Sequence, residues 1–238
     1  MDIRNRKAIV LGGTSGIGLA ATQQLERAGA TVIAGSRSSA NVDIANSCTG
    51  PGVSCREIDV LDREGLSKLF QEEAPFDILI NCATGGARAS GPFLQMDLDA
   101  FQLSFRKLWG YTNSVRLGAE HLSSDGAIVL VSGFPARKAN PGSLAISTVG
   151  NAVEGFARAL APEIAPRRIN IVCPGMIDTP MFPQEGEQRK QFLARATERT
   201  LIPRAGTADE VASAILFAVQ NDYMTGSTID IEGGALLP

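Results

Sequence analysis

Short apolar runs alternate with longer amphipathic stretches along the whole chain. The run Lys7–Leu11 is followed by apolar positions Ile17, Leu19, Ala20, Ala21 and Leu25, which share one face of a helix over Ile17–Ala28. Further runs predict strands at Thr31–Ala34, Val53–Asp59, Asp77–Asn81, Ala127–Ser132, Arg168–Cys173 and Thr228–Ile231. Helical patterns lie between them at Asp62–Glu73, Leu98–Leu122, Ser147–Ile164, Glu187–Thr200 and Ala208–Val219. Strands that alternate with helices require parallel crossovers, so the pattern predicts an α/β fold. Its form is a single domain with a doubly wound, seven-stranded parallel sheet and helices on both faces. Two stretches interrupt the rhythm. Ser36–Gly52 is rich in Ser, Asn and Gly and reads as irregular rather than as a long second helix. Pro174–Gly186, with Met181 and Phe182 exposed, reads as a mobile lid. Both follow strand carboxyl ends, where open α/β sheets hold their ligands.

Composition narrows the function. The 238 residues show no internal repeat or linker, and 44% of them are hydrophobic, enough for one sizeable core. A net charge of −3 argues against nucleic acid or an anionic membrane as partner, because both reward a positive field. The small cluster Arg4, Arg6 and Lys7 reads as a solvated face. Cys48, Cys55, Cys82 and Cys173 lack a CxxC spacing and read as reduced, mostly buried thiols. No apolar run approaches the roughly 18 residues of a membrane span, and the N-terminus opens on a strand rather than a targeting segment. A cytoplasmic location is the expectation. A single histidine, His121, excludes a His-rich metal site, and no metal is expected. Only Tyr111 and Tyr223 are available to any mechanism that needs a phenolic proton donor.

The first strand runs directly into Gly12-Gly13-Thr14-Ser15-Gly16-Ile17-Gly18 and then a helix. Glycines allow a tight turn and close backbone approach, and a helix N-terminus offers free N–H groups and positive potential to a pyrophosphate. The context of strand, turn and helix makes this a dinucleotide site, with Gly12, Thr14, Ser15, Gly16, Ile17 and Gly18 as its residues. The second strand ends in Ser36-Arg37-Ser38. Arg37 offers a guanidinium fork to a ribose 2′-phosphate, so NADP(H) is favoured over NAD(H).

The spacing GxxxGxG, Asp59-Val60 after the third strand and Asn81-Cys82-Ala83 after the fourth have counterparts in one family. So do Pro174-Gly175-Met176-Ile177-Asp178-Thr179 and the tail Thr225-Gly226 with Asp230-Ile231-Glu232-Gly233-Gly234. On these five motifs the chain resembles the short-chain dehydrogenase/reductases over essentially its full length. The resemblance implies a Rossmann fold. It puts Asp59 and Val60 at the adenine, Asn81 and Ala83 at the adenosine ribose, and Ile177 and Thr179 at the nicotinamide amide, with Cys82, Pro174 and Gly175 as further cofactor-binding residues. It also puts Ser36 where a NAD-preferring relative would carry an acid.

The same resemblance leaves the catalytic positions empty of their usual side chains. The family serine falls on Gly133, the tyrosine on Ile146, the lysine on Gly150 and the asparagine on Lys107. Ser132 retains a hydroxyl one residue earlier, but strand alternation turns it the other way. Tyr111, one helical turn beyond Lys107, is either a relocated donor or an ordinary core or interface aromatic. Lys107 itself either extends to solvent or to Asp97 or Asp99, or it stands in the cleft. In the cleft it would serve as general acid, oxyanion stabiliser or anchor for an acidic substrate. Arg137 and Lys138 add two cations in the loop after the fifth strand; they are either catalytic or substrate-anion-binding groups alongside Lys107 or residues of an exposed turn.

Three functions fit this pattern. The favoured one is an NADP(H)-dependent oxidoreductase with a non-standard active site, acting on a small carbonyl, enone or imine compound. The others are a silent NADP(H)-binding sensor or scaffold, and a non-redox enzyme that uses the cofactor structurally. By resemblance, the helices Leu98–Leu122 and Ser147–Ile164 would pair in a homo-oligomer, a dimer or tetramer, with Leu103, Leu108, Val153 and Phe156 contributing.

Overall fold

A computed structural model describes residues 1–86, 88–138 and 140–237. Seven parallel strands form one sheet in the order β3-β2-β1-β4-β5-β6-β9. They are β1 (Lys7–Leu11), β2 (Thr31–Ser36), β3 (Val53–Glu57), β4 (Phe76–Asn81), β5 (Leu122–Val131), β6 (Arg168–Pro174) and β9 (Thr228–Ile231). A second, two-stranded pairing joins β7 (Ile177–Asp178) to β8 (Gly206–Thr207). The helices are α1 (Gly16–Arg27), α2 (Ser39–Cys48), α3 (Arg63–Glu73), α4 (Leu98–Ser104), α5 (Arg106–Gly118), α6 (Leu144–Ile164), α7 (Gly186–Thr197) and α8 (Ala208–Gln220). The chain is therefore the single-domain, doubly wound α/β structure that the alternating pattern predicts.

The central strands are apolar on both faces because each face is covered. On one side Val10, Val32, Ile80 and Val129 pack with Leu25 of α1 and Val211, Ile215 and Val219 of α8. On the other, Ile9, Leu79, Ile128 and Ile171 pack with Leu66 and Phe70 of α3, Tyr111 and Val115 of α5, and Val153 of α6. The strand order reverses direction between β1 and β4, which opens a crevice at their carboxyl ends.

Some expectations are corrected. Ser36–Gly52 contains a helix of ten residues, started by the Ser38 hydroxyl, which accepts from the Asn41 N–H at 3.3 Å. Only Ala45 of that helix is buried, so its apolar signal is weak. Leu98–Leu122 is two helices, separated at Phe105. Phe182 is half-buried against Phe192, with ring centroids 5.1 Å apart, and its segment is tethered rather than hanging free. The tether is Arg189, which pairs with Asp178 and donates to the carbonyls of Thr179, Phe182 and Gln184. The N-terminal cations are not merely solvated. Arg6 joins Asp77 and Asp125, Lys7 joins Glu73, and Arg4 pairs with Asp2. The cysteines are free, but Cys48 is exposed and only Cys173 is fully buried. Among the described residues, no helix is long and apolar enough to cross a membrane.

Candidate functional site

The glycine turn is built at the carboxyl end of β1. The Gly12 and Gly13 N–H groups both donate to the Gly35 carbonyl of β2, at 2.8 and 3.0 Å, and the Cys82 N–H donates to Leu11 at 2.8 Å. The turn is therefore clamped between the neighbouring strands. Side chains have no room in it. A methyl group on Gly12, whose φ is +75°, would lie 2.7 Å from the Ala83 nitrogen. One on Gly18 would lie 2.7 Å from the Gly12 carbonyl carbon and closer still to its oxygen. Gly16, at φ +51°, brings the start of α1 beside Thr179, whose Cβ would be 3.4 Å from a methyl group there. The ends of β1, β4 and β6 thus converge on one crevice.

Several donors in this crevice are left over. Ser15 caps α1 without a side-chain bond to it, so the first N–H groups of the helix lack side-chain partners. The Thr14 hydroxyl is buried and has no hydrogen-bond partner among the described residues. A buried unpaired hydroxyl beside an uncapped helix N-terminus fits a phosphate-bearing ligand. Asn81 fixes the next wall. Its amide donates to Ser114 Oγ and accepts from the Ala83 N–H, each at 3.0 Å. Asp59 accepts from the Leu61 N–H at 2.9 Å, and Val60 is buried where Gly110 lets α5 approach. The Gly175 N–H donates to Ile231 at 2.9 Å, which carries Pro174, Ile177 and Thr179 to the opposite side, with Ile177 and Thr179 buried. Ser36 Oγ accepts from the Ser38 N–H, while Arg37 stays exposed with its guanidinium beside Gly86.

Lys107 stands in the cleft and not in solvent. It is half-buried, and its ammonium donates to the Ser132 carbonyl at 3.2 Å and lies 5.5 Å from the centre of the Tyr111 ring. Asp97 instead accepts from the Asp99 N–H as the cap of α4. Burial, and then the charge of Arg88, push the Lys107 pKa down to about 7. The neighbouring thiols do not offset this as anions. Burial pushes Cys82 and Cys173 up to about 12, so both remain protonated. Lys107 therefore exchanges its proton close to neutral pH.

Other groups have different work. Tyr111 is fully buried, its pKa is raised well above the ordinary range by desolvation, and it donates to the Val131 carbonyl at 2.8 Å. It supports the end of β5 and does not reach a ligand. Tyr223 is fully exposed. Arg137 faces Glu154 Oε2 at 3.3 Å and Asp230 Oδ2 at 3.5 Å, and Lys138 donates to the Ala235 carbonyl at 2.6 Å. Both cations, expected as substrate-facing groups, thus have partners within the chain. Their charges are already met by α6, β9 and the tail, which the sequence reading missed because Glu154 and Asp230 are remote in sequence. Arg88 was also missed, being a lone arginine in a loop with no pattern around it.

Gly133, Ile146 and Gly150 line the region where β5 ends and α6 begins. Gly150 lets α6 pack closely, since a methyl group there would lie 2.6 Å from Ala136 Cβ and 3.3 Å from Ser132 Oγ. Ser132 Oγ points to the Gly150 carbonyl at 3.4 Å. A lysine at position 150 has no space without moving α6. Gly150→Lys is expected to destabilise the protein by about 1–3 kcal/mol, measured by urea unfolding, with no gain in turnover.

Comparison with known proteins agrees with this architecture. The pattern of the family described as enoyl-(acyl carrier protein) reductase matches residues 12–235. The chain is 31% identical, over the whole of both chains, to a 3-oxoacyl-(acyl-carrier-protein) reductase of Thermotoga maritima. Among solved structures it is similar to a small-chain dehydrogenase in complex with NADPH, at 29% identity and a TM-score of 0.82, over 98% of this chain and all of that one. It is also similar to a short chain oxidoreductase of Pseudomonas aeruginosa PAO1 described as containing an atypical catalytic center. There the identity is 28% and the TM-score 0.89, over 99% of this chain and 98% of that one.

Proposed function

The chain belongs to the short-chain dehydrogenase/reductase family, and from that premise we propose an NADP(H)-dependent oxidoreductase in which Lys107 performs the proton transfer. Its substrate class is a small carbonyl, enone or imine compound. The observation that carries this reading is the Lys107 ammonium, held over the Tyr111 ring beside Ser132 at the crevice. The side chains that the family resemblance leads one to expect give way to Gly133, Ile146, Gly150 and Lys107. Of these four, only Lys107 carries a proton.

NADP(H), when bound, supplies or accepts the hydride. Gly12, Thr14, Ser15, Gly16, Ile17 and Gly18 would hold its pyrophosphate, Arg37 with Ser36 and Ser38 its 2′-phosphate. Asp59 and Val60 would border the adenine, Asn81, Cys82 and Ala83 the ribose, and Pro174, Gly175, Ile177 and Thr179 the nicotinamide. The residues fit that role, because the turn excludes side chains and leaves the Thr14 hydroxyl unpaired. Lys107 donates a proton to the substrate oxygen or nitrogen that becomes negative, and it is replenished from water. In the reverse direction its neutral amine accepts the proton. A pKa near 7 lets one group serve both directions at neutral pH. Arg137 and Lys138 act only indirectly, by holding the C-terminal tail against α6. The reading is tested by following NADPH oxidation across a panel of carbonyl, enone and imine compounds.

Cofactor choice has its own test. Arg37→Ala is expected to weaken NADPH binding by about tenfold, a modest loss because the site is exposed and screened by salt. NADH binding is expected to stay unchanged. Fluorescence titration of both cofactors checks this, and equal losses for the two would remove Arg37 from the 2′-phosphate site.

A further inference from the structure

Arg189 spends its whole hydrogen-bonding capacity on one short segment of the chain. It closes the first turn of α7, where its backbone N–H donates to the Glu185 carbonyl at 3.2 Å. Its half-buried side chain turns back over the residues between β7 and α7. Nε donates to Asp178 Oδ1 at 2.7 Å. One terminal nitrogen donates to the same oxygen and, at 2.8 Å, to the Thr179 carbonyl. The other donates to the carbonyls of Phe182 at 2.8 Å and Gln184 at 3.2 Å. A guanidinium has five N–H groups, and these bonds use all of them. None is left over for a substrate anion, so Arg189 works as a strut within the fold.

The segment is anchored at both ends as well. Ile177 and Asp178 of β7 pair with Gly206 and Thr207 of β8. At the other end Phe182 packs on Phe192 of α7, a helix seated through buried Leu193 and Thr197. The front of the segment meets the glycine turn. Thr179 is buried, and its Cβ would lie 3.4 Å from a methyl group on Gly16, with Pro180 Cδ at 3.9 Å. Gly16 opens α1, in the same turn as the unpartnered Thr14 hydroxyl. The bond from Arg189 to the Thr179 carbonyl therefore sets how closely this wall approaches the start of α1. A wall already held in one conformation loses less entropy when a ligand arrives, so its order shows as affinity.

We propose that Arg189 is a positioning residue for the nicotinamide half of the cofactor, holding residues 178–184 in their ligand-bound shape before any ligand arrives. This rests on the reading of the crevice as an NADP(H) site and adds the residue that preforms one of its walls. Two measurements on the whole chain test it. Cleavage by a glutamyl endopeptidase after the exposed Glu185 is followed without nucleotide. NADPH binding is compared with that of adenosine 2′,5′-bisphosphate, which lacks the nicotinamide half. Arg189→Met is expected to speed cleavage and to weaken NADPH binding, each by about tenfold. The bisphosphate is expected to bind the variant within about twofold of wild type, since its part of the site does not rest on the strut; this also reports an intact fold. Arg189→Lys is expected to fall between the two, because an ammonium supplies three donors from a single point. Wild-type protein cut as fast as Arg189→Met, equal losses for the two nucleotides, or undiminished NADPH binding in the variant would overturn the proposal. The two readings fail separately. Wild-type protein that Arg189 protects from cleavage but that binds neither nucleotide removes the cofactor site and this role with it. NADPH binding that is normal in wild type and indifferent to Arg189 removes the positioning role alone.

Discussion

Lys107→Met is expected to slow reduction by about 10²–10⁴-fold, the usual contribution of a positioned general acid, while NADPH affinity stays within about twofold. The wild-type rate is expected to fall by about tenfold per pH unit above the Lys107 pKa of about 7, because only the ammonium donates. Arg88, Cys82, Cys173 and Tyr111 surround this group, and none of them carries a negative charge in that range to raise its pKa. The variant's residual rate is expected to be flat over the same range. Stability moves the opposite way. The folded pKa lies below the ordinary value of 10.5, so the unfolded chain binds the proton more tightly. The cost to stability is complete below about pH 7 and fades as pH rises toward 10.5. Lys107→Met should therefore melt higher than wild type, most clearly in acid. A steady-state pH profile and a melting series at two pH values check both halves.

Gly18→Ala is expected to abolish NADPH binding and to destabilise the fold by about 3 kcal/mol or more. Added carbon at this position meets the Gly12 carbonyl, which is backbone and is itself pinned through the Gly12 N–H to Gly35. Neither side can yield without displacing the turn from the end of β1. At Gly155 of α6, by contrast, a methyl group would have nothing within 4 Å, so Gly155→Ala serves as a control that leaves binding intact. Urea unfolding and cofactor titration of the two variants make the comparison.

Much of this was legible in the chain because it is written in periods. Strands buried on both faces read as continuous apolar runs, and the glycine turn reads from its place between strand and helix. What escaped was tertiary. The break at Phe105 has no glycine or proline to mark it; it falls where the loop at Gly85 and Ala89 presses on α4 and α5. The helix Ser39–Cys48 covers the sheet with one buried residue, too little to produce a pattern. Arg137 and Lys138 looked like free cations because their partners, Glu154, Asp230 and the Ala235 carbonyl, come from distant parts of the sequence. Lys107 was visible only because family resemblance gave its position a meaning, and its burial, which makes that position chemical, belongs to the fold.

The central claim is that a cleft without the usual family side chains still transfers hydride, with Lys107 supplying the proton. Isotope transfer tests this most directly, using NADPH deuterated at the nicotinamide C4 and the panel of carbonyl, enone and imine compounds. The account predicts deuterium in at least one product with wild-type protein, and its loss in Lys107→Met at unchanged NADPH affinity. Tight NADPH binding with no label in any compound, or label transfer that persists undiminished in Lys107→Met, would contradict it.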